Sequence, residues 1–156
     1  MVNNPPAKLI RYSIFLLVFS FSFILDRLTK NLVMTRPIPD NWTIPTLLQV
    51  RKGFNPGVAF GLAQSTPAFN LLLASIITIV LLWYVVYRAS GTATIALAFI
   101  VGGAIGNISD RLLFQGQVID FLATPFIPTF NMADMAITVG GIWLILLLWI
   151  EHKKKK

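Results

Sequence analysis

Four aspartates, Asp26, Asp110, Asp120 and Asp134, stand beside or between long apolar runs in a chain whose only other acids are Asp40 and Glu151. A carboxylate at membrane depth is costly unless it is paired or protonated, so each of the four marks a candidate functional group. Asp26 precedes Lys30 by four residues, and Asn107, Asp110 and Arg111 fall within one helical turn, spacings that share a helix face. Both clusters read as ion pairs or helix-end caps more readily than as catalytic groups. Asp120 and Asp134 differ, because Val118-Ile119-Asp120-Phe121-Leu122 holds no cation and Asp134 is followed by an apolar helix. The structural alternative for Asp134 is an N-cap, which aspartate and the helix dipole both favour. Two neighbouring carboxylates in a low-dielectric setting do not both ionise cheaply, so one keeps a proton while the other is a base. Such a pair activates water: the charged member takes the water's proton as it attacks a carbonyl, and the protonated member donates to the oxygen or the leaving amine. There is no cysteine, and the single histidine, His152, lies among terminal lysines. That leaves no Ser-His or Cys-His arrangement, and metal chemistry would rest on aspartates alone. If the chain is a hydrolase, it is most simply an aspartic peptidase, with no metal and no cofactor.

The elements that must position these groups are membrane helices. With 56% hydrophobic and only 12% charged residues, the composition is that of a polytopic membrane protein, and 156 residues suffice for about four spans of about 20 residues. The expected fold is an all-α membrane protein forming a single domain, residues 1–156, with spans at about 10–25, 68–87, 92–108 and 135–150. The first run, opened by Lys8 and Arg11 and closed by Asp26-Arg27-Leu28-Thr29-Lys30, lacks the small-residue cleavage pattern of a secretory signal. Between the first two spans, residues 34–66 carry prolines at 37, 39, 45 and 56 and β-prone pieces such as Trp42-Thr43-Ile44 and Leu47-Leu48-Gln49-Val50. This predicts a small extramembrane β-like platform. Gly102, Gly103, Ala104 and Gly106 would let the third helix approach its neighbours closely.

With both termini in the cytoplasm, the inner face holds Lys8, Arg11, Arg88 and Lys153 to Lys156, seven cations against Glu151. The outer segments hold six, Arg27, Lys30, Arg36, Arg51, Lys52 and Arg111, spread over longer stretches with five aspartates. The cation rule therefore favours cytoplasmic termini, and the lysine tail reads as attracted to anionic membrane lipid rather than to nucleic acid. Asp26 is expected to end the first helix, Asp110 the third, and Asp134 to begin the fourth. Alternating topology then brings all three, with Asp120 in the loop between helices three and four, to one outer surface. Helices one and four carry only about 16 strongly apolar residues, about 24 Å of rise against a core of about 30 Å, so their ends lie at or just below the interface.

In order along the chain stand Asp26-Arg27-Leu28-Thr29-Lys30, Asn55-Pro56-Gly57-Val58-Ala59-Phe60, Gly102-Gly103-Ala104-Ile105-Gly106-Asn107-Ile108-Ser109-Asp110-Arg111, Val118-Ile119-Asp120-Phe121 and Phe130-Asn131-Met132-Ala133-Asp134. Carrying these five pieces over nearly its whole length, the chain resembles the lipoprotein signal peptidase (signal peptidase II) family. The resemblance implies a bacterial inner-membrane enzyme that removes the signal peptide from lipid-modified prolipoproteins, cutting just before the diacylglyceryl cysteine. It also implies Asp120 and Asp134 as the catalytic dyad. Supporting or substrate-positioning roles go to Asn55, Asn107, Arg111 and Asn131, and structural or supporting ones to Asp26, Lys30 and Asp110. Arg27 stands where the family often has glutamine, and Pro56 is also less usual; neither touches the proposed dyad. From the residues alone Asn131 is equally a turn or cap, and Asn55-Pro56-Gly57 a turn.

Phe54, Phe60 and Trp42 are placed to cover a site or to rest in the lipid interface, the latter being the reading for Trp42. Two other classes are compatible with membrane aspartates. A proton-coupled transporter would carry its aspartate nearer the middle of a span. A head-group transferase would gather aspartates around Mg²⁺. A monomer suffices for the peptidase chemistry.

Overall fold

The computed structural model describes residues 5–37, 43–44, 47–57, 66–89 and 91–156. Asp40, Trp42, Pro45 and the Val58-Ala59-Phe60 stretch lie outside the described residues, and with them the expectations for Trp42 and Phe60. Four helices dominate, α1 (Pro5–Thr35), α2 (Pro67–Tyr87), α3 (Ala93–Leu113) and α4 (Met132–Lys154), each long and apolar enough to cross a membrane.

The expectation that Asp26 ends the first helix is corrected: α1 continues for two and a half turns to Thr35. Hydropathy falls at Asp26, but nothing there breaks a helix. The Asp26–Lys30 pair supports the turn it sits on, and the stop comes only at Pro37, which disfavours helix in the residue before it. Likewise α3 runs past residue 108 to Leu113, and its exit is a tight turn in which Gln115 and Gly116 both take positive φ. The helix α2 starts on an N-cap, Thr66 accepting from Phe69 N, with Pro67 in the first position.

More than half of the apolar window of α3 is buried (56%), against 11–17% in the other three, so α3 is the central helix on which the others pack. Its small residues make this possible. A Cβ added at Gly102 would meet Phe19 O and Ser22 Cβ of α1 at 2.8 Å, and one at Gly103 would strike Ala133 O of α4. Phe15 of α1, Val85 in the last turn of α2 and Ala89 just after it, and Leu97, Ala98 and Val101 of α3 form the apolar core at the end of the bundle away from the aspartates. Exposed leucines, isoleucines and phenylalanines line the outer sides of α1, α2 and α4, as lipid-facing helices require.

The platform is built from two parts of the chain. Between α1 and α2 lie β1 (Thr43–Ile44), β2 (Leu48–Val50) and β3 (Phe54–Asn55), and between α3 and α4 lie β4 (Val118–Ile119) and β5 (Leu122–Ala123). One antiparallel sheet runs β1-β2-β5, and β3 pairs antiparallel with β4, Phe54 opposite Ile119 and Asn55 opposite Val118. The loop after α3 is thereby stitched to the loop after α1. Asp120 N donates to Gly53 O and Arg51 N to Phe121 O, both at 3.0 Å, and a side chain at Gly53 would lie 2.9 Å from Asp120 O.

Candidate active site

Asp134 occupies the third position of α4, inside a capping box. Asn131 is the N-cap, its Oδ1 accepting from Asp134 N at 2.9 Å while Asn131 N donates to Asp134 Oδ2 at 3.1 Å. Asp134 is thus not the cap itself but the residue that reciprocates it. Asp120 sits between β4 and β5, held by the backbone pairing with Gly53.

Three asparagines bring these carboxylates into one network. Asn131 Nδ2 donates to Asp120 Oδ1 at 2.7 Å, Asn55 Nδ2 to Asp120 Oδ2 at 2.8 Å, and Asn107 Nδ2 to Asp134 Oδ1 at 2.8 Å. Each of the four carboxylate oxygens therefore accepts one N–H, and Asn131 touches both residues. Asn55 is fixed in turn by Gly57 N, which donates to its Oδ1 at 2.8 Å. The orientation of Asn55 depends on β3, since Asn55 pairs with Val118 and so lies across from the strand that leads into Asp120.

Beneath this pair lies a second charge cluster, buried except for the partly exposed Arg27. Lys30 Nζ contacts Asp26 Oδ2 at 2.9 Å and Asp110 Oδ2 at 2.7 Å, and Arg27 Nη2 bridges the same two aspartates, at 3.4 Å to Asp26 and in a closer pair with Asp110. Two cations answer two anions, which is what burial at 0–1% exposure for Asp26, Asp110 and Lys30 demands. The two aspartates also reach out of the cluster. Asp26 Oδ1 accepts from Ala133 N at 3.0 Å and Asp110 Oδ2 from Ile119 N at 3.1 Å. Those N–H groups belong to the residues directly before Asp134 and Asp120. Arg111 Nη1 reaches Asn107 O at 3.4 Å, and its charge lies within range of Asp134, Asp120 and Asp110.

All nine candidate residues, Asp26, Lys30, Asn55, Asn107, Asp110, Arg111, Asp120, Asn131 and Asp134, are thus joined in one region. Two participants escaped the sequence reading. Arg27 counts in the sequence among the outer cations and as a departure from the family pattern, and its place next to Asp26 on a helix is the signal for a second cation in the cluster. Gly106 was read as a helix-packing residue; a Cβ there would stand 2.6 Å from Asp26 Oδ2, so its missing side chain makes room for the carboxylate. Burial pushes the Asp120 carboxyl above the ordinary range, the Asn55 and Asn131 donors and Lys30 pull it down, and the charge of Asp134 pushes it up again. Among the described residues no three His, Cys, Asp or Glu side chains gather as a metal-holding group.

Residues 18–150 match the family model described as Signal peptidase (SPase) II. A lipoprotein signal peptidase of Halothermothrix orenii is 35% identical over 134 residues, covering 83% of this chain and 91% of the relative. One of Shouchella clausii is 39% identical over 141 residues, covering 85% and 90%. A solved structure described as a bacterial membrane enzyme, determined by the in meso method at 2.3 Å resolution, superposes with a TM-score of 0.81 at 31% identity, covering 91% of each chain.

Proposed function

The chain belongs to the signal peptidase II family, and we propose that Asp120 and Asp134 are the two groups with which it hydrolyses its peptide bond. It is a multi-pass bacterial membrane peptidase of prolipoprotein processing. The bond cut is the one just before the diacylglyceryl-modified cysteine of the substrate. What supports the dyad is that one residue, Asn131, donates to both carboxylates, its side-chain Nδ2 to Asp120 Oδ1 at 2.7 Å and its backbone N–H to Asp134 Oδ2 at 3.1 Å.

The pair shares one proton. Asp120, which burial pushes toward the neutral form, is its preferred holder and the general acid. Asp134 is the general base: its oxygens accept from Asn107 and from Asn131 N, and it sits in the first turn of α4, where the helix dipole favours negative charge. Water between them loses a proton to Asp134 as it attacks the carbonyl carbon. Asp120 gives its proton to the oxygen, and collapse of the tetrahedral intermediate returns the pair to its starting state once the amine leaves protonated. Arg111 supplies a cation at the same end of α3 and is assigned to positioning the substrate, with Asn55, Asn107 and Asn131 supporting the dyad.

The platform end of the bundle is assigned to the outer face and both termini to the cytoplasm. The seven cations at Lys8, Arg11, Arg88 and Lys153 to Lys156 then lie on the inner side, facing anionic lipid. A signal peptide's apolar helix would lie in the bilayer with its lipidated cysteine near the outer interface, at the depth of the dyad. One copy of the chain supplies every group named, so a monomer of one membrane domain is sufficient. The test is cleavage of a diacylglyceryl-modified prolipoprotein in detergent micelles with excess chelator, native protein against Asp120→Asn. Cleavage before the modified cysteine by the native protein alone is the expected result. Equal cleavage by a folded Asp120→Asn protein would overturn the dyad.

A further inference from the structure

The side-chain amide of Asn107 stands between the buried charge cluster and the proposed dyad. Its Oδ1 accepts from Lys30 Nζ at 3.2 Å and from Asn131 Nδ2 at 3.1 Å, while its Nδ2 donates to Asp134 Oδ1 at 2.8 Å. An ammonium has only protons to offer, so the Asn107 atom facing Lys30 has to be the oxygen. That leaves the nitrogen for Asp134. Rotating the amide by half a turn would set donor against donor at Lys30, where the lysine is 1% and the asparagine 8% exposed and water cannot compensate. The ammonium is itself held in place, by hydrogen bonds to Asp26 and Asn107 and an ion pair with Asp110.

We infer that Lys30 is a positioning residue for the hydrolysis: by dictating which way the Asn107 amide faces, it keeps an N–H on Asp134 Oδ1 and holds Asp134 in the form that accepts water's proton. The inference rests on the dyad reading above. The charged groups that act on Asp134 directly are Arg111 from α3 and Asp120 from the β4–β5 connection, and behind Asn107 and Ala133 lies the cluster of Asp26, Arg27 and Lys30 from α1 with Asp110 from α3. Lys30 is the member of that set that also grips the amide on Asp134. An Asn107 released from Lys30 keeps only the neutral donor Asn131 Nδ2 on its oxygen, at 3.1 Å, and that amide has Asp120 Oδ1 and Ile119 O as other acceptors, so Asn107 can turn its oxygen to Asp134, which a carboxylate meets comfortably only when protonated. The base is then populated only at higher pH.

The readout is the acidic limb of the pH profile of kcat/KM for a diacylglyceryl-modified prolipoprotein in detergent micelles, since that limb reports ionisation of the base. Removing Lys30 alone strands two buried carboxylates, so Lys30→Met is combined with Asp110→Asn and compared with Asp110→Asn. The expected limb moves upward by about one unit, the scale of one charge-assisted hydrogen bond. Asn107→Ala moves it similarly, and adding Lys30→Met and Asp110→Asn to Asn107→Ala moves it little further. A folded Lys30 variant with an unmoved limb, or shifts that add, overturns the inference, because a through-space charge effect would survive the loss of Asn107.

Where the Lys30 variants do not fold, the native protein answers by NMR. The Asn107 NH₂ resonances, assigned by their loss in Asn107→Ala, are expected to move as the dyad titrates, and static resonances overturn the inference. Asp134→Asn separates the two failures. If that variant cleaves normally the dyad reading has failed, and if it is inactive while the Lys30 limb is unmoved only the role of Lys30 has failed.

Discussion

Asp26 on α1 accepts a hydrogen bond from the backbone N–H of Ala133 at 3.0 Å, 107 positions further along the chain and immediately before Asp134. A helix N-terminus has unsatisfied N–H groups, and Asp26 supplies an acceptor for one of them from another helix. Asp110 does the same for Ile119 N, immediately before Asp120. The two buried aspartates thus each hold the backbone that presents one dyad carboxylate, and Lys30 and Arg27 tie the two holders together.

Asp26→Asn should therefore unsettle the fold before the chemistry. It leaves the Arg27 and Lys30 cations with one carboxylate instead of two, and removing one partner of a buried pair costs about 3 kcal/mol. Thermal unfolding in detergent is expected to drop by several degrees, with residual cleavage at lower temperature. An unchanged melting temperature would show that the cluster contributes little.

Gly106→Ala is expected to resemble Asp26→Asn. The new Cβ would stand 2.6 Å from Asp26 Oδ2, and the carboxylate has to leave Ala133 N or Lys30 to avoid it, a strain of about 1–3 kcal/mol. Since Asp26→Ala removes the carboxylate that the new Cβ would strike, Gly106→Ala should cost little further in an Asp26→Ala background. Simple addition of the two losses would place the effect of Gly106 elsewhere.

Asp120→Asn and Asp134→Asn should each reduce cleavage by about 10³-fold or more with the protein still folded, as expected when a general acid or base is lost. Circular dichroism and melting in the same detergent establish the fold, and a loss of less than tenfold in either would argue against a two-carboxylate mechanism.

Asn55→Ala should move the alkaline limb of activity. The Asn55 donor lowers the proton affinity of Asp120, so its removal lets Asp120 keep its proton to higher pH. The alkaline limb, where the dyad loses the proton it donates, is expected to shift upward while the acidic limb stays near its native position. A shift downward would mean that the amide acts on the neutral form of the acid.

Stability carries the same sign. The Asp120 carboxyl holds its proton more tightly when folded than when unfolded, so its contribution is full below the ordinary carboxylate value of 3.8 and is lost as pH rises through the elevated folded value. The melting temperature of the native protein relative to Asp120→Asn should accordingly become less favourable across that window and level off above it. A difference independent of pH would contradict the burial of this group as the source of its shift.

The membrane class, the number of helices and the approximate spans were legible in the residues because hydropathy over about 20 positions is a local, additive property that no packing overrides. The pairing of Asp26 with Lys30 was legible too, since helical spacing alone puts them on one face. Helix ends were less so: hydropathy falls at Asp26, yet α1 runs on to Thr35, and the burial of its Arg27 and Lys30 charges depends on Asp110, a partner 84 positions from Asp26 that no window around it contains. The platform was read as belonging to residues 34–66, yet β4 and β5 complete its two sheets, since short strands take their partners from whatever edge lies alongside. Only tertiary structure decided that Asn131 spans both proposed catalytic carboxylates, that Gly106 clears space for Asp26, and that Asp26 and Asp110 reach the peptides next to Asp134 and Asp120. These contacts join separate elements, over 107 positions for Asp26 and Ala133 and only nine for Asp110 and Ile119, and their geometry exists only after the helices have packed.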